Sequence, residues 1–357
     1  YTLCCYSMED DRFFAEVQVE PDAKNILKYL ARIEKQQSRD CRIVCGYEAG
    51  CLGYSLYHQL HAHGIDCVIL APTTMMTKPG KRIKTDRRDA RLISKCLAFH
   101  TYSPVYIPTE VDDAVKEYIR MRDDANSALA RVKQQIIAFC IRHGKIHDGK
   151  SYWTNKHLEW LSSLDLGNKI LSEVLQEYLI RYYQLREQVD MYDMRINELA
   201  QAEPYRQKVE KLGCFRGIAA HTALSFCVEV GDFRRFATAQ QFASYLGLVP
   251  GECSSGDKQQ YTGITKAGNS HLRKLLVETA QVFGRSATKS GKSVALKERQ
   301  AKCDSLTVAY ADKANARLKK KYFKIAMRSK VNIAKTAVAR EMACFIWGMM
   351  TDNISCA

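Results

Sequence analysis

The stretch RIVCGYEAGCLGYSL, residues 42–56, decides how this chain is read. Its first half is a short apolar run that ends in Glu48 and then in the small residues Ala49 and Gly50. A run of that length, bounded by small residues, reads as a buried strand. The carboxylate at its end has two readings. Strands end and polar residues follow, or Glu48 points into an active site whose other groups lie elsewhere in the chain.

Around this strand the first hundred residues alternate. YTLCCYS and RFFAEVQVE flank MEDD and read as a hairpin. AKNILKYLARIEKQ has helical spacing, GYSLYHQLHAHG is helical and stops at Gly64, and IDCVILAP is a further strand. TDRRDARLISKCLAFH reads as a helix and YSPVYIP as a closing strand. A hairpin followed by strand–helix–strand predicts an α/β unit over residues 1–108, a mixed sheet covered by helices.

Residues 109–205 read as two long helices. In the second, Leu171, Leu175, Tyr178, Tyr182, Leu185, Val189, Tyr192, Ile196 and Leu199 follow steps of four and three without a break. A sustained heptad seam predicts a coiled-coil spacer and self-association, as a dimer or a tetramer. In the first helix the seam runs through Val115, Tyr118, Ala125, Leu129, Val132, Ile136 and Phe139, and Arg122 interrupts it. An antiparallel hairpin within one chain is the plainer reading. Residues 206–357 read as a mostly helical, basic region with a Gly-rich loop, in which the turn FRGIAAHTA offers backbone N–H groups to a phosphate or simply joins two helices.

Charge is segregated. The chain carries +15, and Lys258–Arg340 alone holds 20 Lys and Arg against 4 Asp and Glu. Such a segment attracts phosphate backbones, so a nucleic-acid partner is expected. The 14 cysteines form no CxxC pair, which with no secretory leader suggests a reducing, cytoplasmic setting. No apolar run approaches the roughly 20 residues that span a bilayer. The chain opens at Tyr1 directly in a strand-like run, so an upstream segment is expected.

Glu48 needs partners, and KRIKTDRRDARLISK supplies them. Thr85 suits an N-cap, Asp86 opens the helix, and Asp89 lies one turn on, so both carboxylates share a face. Acids in a first turn also suit the helix dipole without further purpose. Here Lys81, Arg82, Lys84, Arg87, Arg88 and Arg91 surround them. Carboxylates inside a cationic loop suit a site that takes Mg²⁺ and a phosphate together.

YEAG with KTDRRDA resembles the RuvC-like (ribonuclease-H-like) domain of the DEDD transposases of the insertion-sequence family numbered 110. GLVPGECSSGDKQQYTGITKAGNSHLRKLL resembles that family's second domain, and the Piv DNA invertases are similar. The two motifs stand in the family's order and the resemblance covers nearly the whole chain. It implies a transposase that cuts and rejoins DNA by Mg²⁺-dependent phosphoryl transfer, with metal at Glu48, Asp86 and Asp89. A fourth carboxylate, an Asp on a first strand, has no counterpart here; Asp10 and Asp11 lie in a turn, so that strand is expected ahead of Tyr1. The resemblance also implies a serine nucleophile before a glycine, Ser255 with Ser254 as the alternative, and a bacterial bridge RNA that guides the enzyme.

By position, Lys84, Arg87, Arg88, Lys258, Lys266, Arg273 and Lys274 are expected to hold phosphates, and Asn269 and His271 either do the same or cap a helix. Lys319, Lys320 and Lys321, ahead of Tyr322 and Phe323, read as a nucleic-acid contact or as a solvated charge run. Two other functions stay open: a Mg²⁺ junction-resolving nuclease without a covalent step, and a nucleic-acid binder descended from a transposase.

Overall fold

The structure is a computed structural model that describes residues 1–36, 42–75, 85–252, 260–285 and 291–354. Strands β1 (Thr2–Ser7) and β2 (Arg12–Gln18) form the expected antiparallel hairpin, with a register shift between Leu3 and Cys5. Helix α1 (Ala23–Gln36) buries Ile26, Tyr29, Leu30 and Ile33 at helical spacing. β3 (Val44–Glu48) ends on Glu48 and runs parallel to β4 (Asp66–Leu70), with α2 (Ser55–Ala62) as the crossover. Gly64 stops that helix at φ +74°, a left-handed conformation that glycine adopts without a Cβ penalty. α3 (Asp86–Ala98) follows, with Thr85 accepting a hydrogen bond from the Arg88 backbone N–H as its N-cap.

The single mixed sheet is corrected. Among the described residues β1–β2 and β3–β4 are two separate two-stranded ladders. They share an apolar core instead: Leu3, Cys5, Phe14 and Val17 from the first pair and Cys45, Tyr47 and Cys67 from the second pack with α1 and α2. Side-chain burial, not a continuous ladder, joins the pairs. The closing strand over YSPVYIP reduces to a bridge between Leu70 and Pro104, flanked by Ala71 N–H to Ser103 O at 3.1 Å and Val105 N–H to Ile69 O at 2.8 Å. These elements make one compact unit, Tyr1–Ile107; Pro108–Ala357 makes a second.

The second unit begins with α4 (Glu110–Arg142) and α6 (Lys169–Gln201), each of 33 residues and so about 50 Å long. The short helix α5 (Asn155–Ser162) lies between them in the chain. The seam read as a contact between chains is filled by α4 of the same chain. Leu129, Val132, Ile136 and Phe139 of α4 pack with Leu175, Tyr182 and Val189 of α6 in one cluster. The physical reason is local: each helix offers one apolar stripe, and the other stripe is within reach in the same chain. Arg122, which breaks the first seam, reaches Asp193 of α6 through Nε at 2.7 Å and Nη2 at 2.9 Å.

The remaining elements are α7 (Arg206–Gly213), α8 (Ala220–Val230), α9 (Ala239–Tyr245), β5 (Pro250–Glu252), β6 (Tyr261–Ile264), α10 (Ser270–Gly284), α11 (Val294–Gln300), α12 (Ser305–Ala326) and α13 (Val331–Met350). They enclose a large core in which Phe215, Phe226, Phe242, Phe283 and Met342 are fully buried. Each such side chain contributes about 1.5–3 kcal/mol of transfer free energy. The FRGIAAHTA turn is not an open phosphate cradle. Phe215 and Ile218 are buried in it, and the Arg216 N–H donates to Asn315 Oδ1 at 2.9 Å. No helix among the described residues is long and apolar enough to cross a membrane.

Candidate functional site

In the first unit, Glu48 is half-buried at the end of β3, Asp86 is exposed at the start of α3, and Asp89 is half-buried one turn on. Among the described residues no group of three or more His, Cys, Asp or Glu is arranged to hold a metal ion. Asp86 and Asp89 share the first turn of α3, and Glu48 does not join them in such a group. Arg87 is engaged by Glu16 of β2, and Arg91 Nε donates to the same carboxylate at 2.7 Å. The two guanidiniums hold Glu16 below the usual carboxylate range. Lys84 lies outside the described residues.

In the second unit, the motif segments GLVPGE and ITKAGN cross each other. β5 and β6 pair antiparallel, Thr265 N–H donates to Val249 O at 2.9 Å, Lys266 N–H to Gly247 O at 3.1 Å and Asn269 N–H to Tyr245 O at 2.9 Å. Two glycines are required by the closeness. A Cβ on Gly247 would stand 2.2 Å from Ala267 O, and one on Gly268 would stand 2.1 Å from Tyr245 O. This crossing forms the foot of the hairpin whose connecting residues hold Ser254, Ser255 and Lys258, all outside the described residues. Lys266 is exposed at φ +56°, and Arg273 donates through Nη1 to Leu246 O at 2.9 Å, bracing the same foot. Asn269 caps α10 by accepting from Leu272 N–H at 2.9 Å.

His271 does not cap the helix; it joins a charged network. Its Nε2 donates to Asp123 Oδ2 of α4 at 2.8 Å, and its Nδ1 lies 3.4 Å from Glu229 Oε1 of α8. His221 Nε2 lies 2.9 Å from Asp123 Oδ1. Glu229 takes Arg120 Nη2 at 3.0 Å and Asn269 Nδ2 at 2.9 Å. Asp123 also takes Arg122 Nη1 at 3.1 Å. Three helices are thereby tied at one point beside the hairpin foot.

The network is strongly polarised. Burial by itself would lower the His271 pKa, but the hydrogen bond to Asp123 and the charge of Glu229 outweigh it and raise the pKa to about 9. Burial would raise Glu229, and His271, Arg120 and Asn269 together hold it at about 2. Asp123 is likewise opposed by burial and is kept well below the usual carboxylate range by His221, His271 and Arg122. A cleft of about 420 Å³ opens on this cluster, lined by Arg120, Asp123, Ser127, Ser270, His271 and Lys274 among others.

Sequence reasoning missed Asp123, His221, Glu229 and Arg120. One signal was available. The heptad seam fails at Arg122, immediately before Asp123, and a charged pair inside an apolar seam marks a buried ionic contact. The Lys319–Lys321 run is divided by the helix: Lys320 is exposed, Lys319 is half-buried, and Lys321 Nζ pairs with Glu341 of α13 at 2.5 Å.

The transposase model DEDD_Tnp_IS110 matches residues 1–141, and the model described as the transposase IS116/IS110/IS902 family matches residues 210–299. A putative transposase, y4qE, of Sinorhizobium fredii is 36% identical over 307 residues, covering 86% of this chain and 75% of the relative. The transposase for insertion sequence element IS1533 of Leptospira borgpetersenii is 32% identical over 314 residues, covering 86% and 88%. The chain belongs to the IS116/IS110/IS902 family of transposases. A more distant relative is the transposase for insertion sequence element IS1111A of Coxiella burnetii, 26% identical over 268 residues and 71% of each chain. The family is one of enzymes that act on DNA, and its first domain is RuvC-like. Glu48, Asp86, Asp89 and Asp123 fall within the first matched region; Glu229, Ser254, Ser255 and His271 fall within the second.

Proposed function

We propose that this transposase recombines DNA site-specifically at an insertion sequence, cutting and rejoining strands by phosphoryl transfer through a serine–DNA intermediate. The reading rests on one observation: both family matches occur in one chain and in order, the first over the strand-end Glu48 and the Asp86–Asp89 turn, the second over Ser255. In the proposal the Ser255 oxygen attacks phosphorus, a bond from serine to phosphate forms, and the 3′- or 5′-oxygen of the cut strand leaves with a proton. The reverse attack by a second strand end rejoins the DNA and frees the serine. Splitting one displacement into two in this way is the use of a covalent nucleophile.

Glu48, Asp86 and Asp89 are the proposed carboxylates, and their oxygen-only donor set suits Mg²⁺. The three do not meet as a metal-holding group among the described residues. Lys258, Lys266 and Lys274 are proposed to hold the backbone beside the serine, and Arg88 with Lys84 the backbone beside the carboxylates. A bridge RNA as guide and assembly into a dimer or tetramer belong to the same proposal; the α4–α6 seam is filled within the chain, so assembly requires another surface.

The test is strand transfer on supercoiled DNA carrying the native element and its flanks. Ser255→Ala is expected to abolish both the rejoined product and the protein–DNA adduct, with Ser254→Ala active. Cutting that persists without the adduct assigns the chain to the nuclease reading instead. Sequencing RNA that copurifies with the protein tests the guide: a single species mapping beside the gene is expected, and a heterogeneous mixture removes the guide from the proposal. A binder without catalysis is the second reading, favoured by the carboxylates that do not meet. It predicts no cutting by the unaltered chain under any divalent ion.

A further inference from the structure

From Lys313 to Arg340 the chain has ten Lys and Arg and no Asp or Glu. The helix sorts them. α12 buries Ala311, Ala314, Leu318 and Tyr322. Lys313, Arg317, Lys320 and Lys324, at steps of four, three and four, are exposed on the opposite face, and Arg328 continues the line into the turn before α13. From Lys313 to Lys324 the line is about 16 Å long at 1.5 Å per residue. Arg317 is engaged by Glu341. Lys320, Lys324, Arg328 and Lys330 have no ion-pair partner among the described residues. These unpaired cations repel one another, and a partner with regularly spaced negative charge relieves that repulsion.

We infer that the outer face of α12 and the turn after it dock the phosphate backbone of duplex DNA. The inference rests on the reading of this chain as an enzyme acting on DNA, and it names a surface that reading does not specify. A straight helix lies along a B-form groove about 12 Å wide, whereas the A-form major groove of duplex RNA is too narrow to admit side chains. Met327, Val331 and Ile333, exposed at 79%, 49% and 54%, sit in and just after the turn and reach past the phosphates to sugars and base edges. Apolar groups among cations also suit an anionic membrane surface, which makes that surface an arm of the test.

The experiment uses the full chain with Lys320→Gln, Lys324→Gln and Arg328→Gln combined, and a matched control, Lys24→Gln with Lys28→Gln and Lys35→Gln on α1. Thermal melting checks that both variants fold. Fluorescence anisotropy then measures affinity for a duplex DNA of arbitrary sequence, and for a duplex RNA of the same length, across a salt series. Each phosphate contact adds about −0.9 to the slope of log affinity against log salt, so the α12 variant is expected to flatten the DNA slope by about 2–3 and to weaken binding at least tenfold near 0.1 M salt. The control keeps the slope, and RNA binding changes less than DNA binding. An unchanged DNA slope, an equal loss in the control, or a larger loss on RNA overturns the inference. So does a variant that releases vesicles of phosphatidylserine and phosphatidylcholine while holding DNA as before. A chain that transfers no strands can still show the slope change, so this result is separable from the outcome of the Ser255→Ala experiment.

Discussion

The two units hold charge in opposite ways. In the ion pairs of Tyr1–Ile107 the basic partner stays at the surface: Arg87, 68% exposed at its side chain, and Arg91, 43% exposed, answer Glu16, itself 15% exposed, while Asp86 is exposed on the first turn of α3. In Pro108–Ala357 the charges that interact most strongly are inside, with Asp123 at 21%, His271 at 20% and Glu229 at 7% side-chain exposure. Exposed pairs exchange partners with water at little cost, while buried ones must satisfy one another. A surface carboxylate is therefore available to a ligand, and a buried network holds its surroundings in place. In this chain that network holds the foot of the serine hairpin.

The largest effect belongs to the core of the second unit. Phe242 is fully buried among Phe226, Phe233, Phe236 and Tyr245. Phe242→Ala is expected to lower unfolding free energy by about 3–5 kcal/mol in a denaturant titration. A loss under about 1 kcal/mol would break the picture of one tightly packed core. Next comes the network. Asp123→Asn leaves His271 with one carboxylate and is expected to destabilise by about 1–3 kcal/mol, reduced from a fully buried pair because water reaches both groups.

The same network sets a pH window. His271 rises from 6.5 to about 9 in the fold, so its contribution is complete below pH 6.5 and is lost as pH climbs through 9. Glu229 falls from 4.5 to about 2, so its contribution is complete above pH 4.5 and is lost as pH drops through 2. Melting temperature against pH should therefore decline on both sides of the interval 4.5–6.5, and the alkaline decline should vanish in His271→Gln. If His271→Gln keeps it, the network is not its source.

In the first unit the expected effects are smaller. Thr85→Ala removes the N-cap of α3 and should cost about 1 kcal/mol. Arg87→Gln removes one of the two guanidiniums on Glu16; because Arg87 is largely solvated and Arg91 remains, it should change stability by under about 1 kcal/mol. A cost for Arg87→Gln as large as that of Asp123→Asn would erase the contrast between the two units.

Much of the fold was legible because its signals are local. AKNILKYLARIEKQ coincides with α1, and the strand ending in Glu48 and the Thr85 cap stand where spacing and capping chemistry put them. The closing strand failed because YSPVYIP carries β-favouring residues but only a bridge to pair with. His271 was legible as a motif residue and not as an ionic one, since its partners Asp123 and Glu229 lie 148 and 42 positions away.

The order of residues alone was enough for the family, through two motifs in succession, and for the segregation of positive charge into one region. It also determined that each long helix carries one apolar stripe, because a period of three and four residues is written in the chain. What those stripes meet is settled in three dimensions: α4 closes on α6, Lys321 pairs with Glu341 while Lys320 faces out, and three helices share one buried charge network. Periodicity is a property of neighbours along the chain. Partnership is a property of neighbours in space, and packing chooses it.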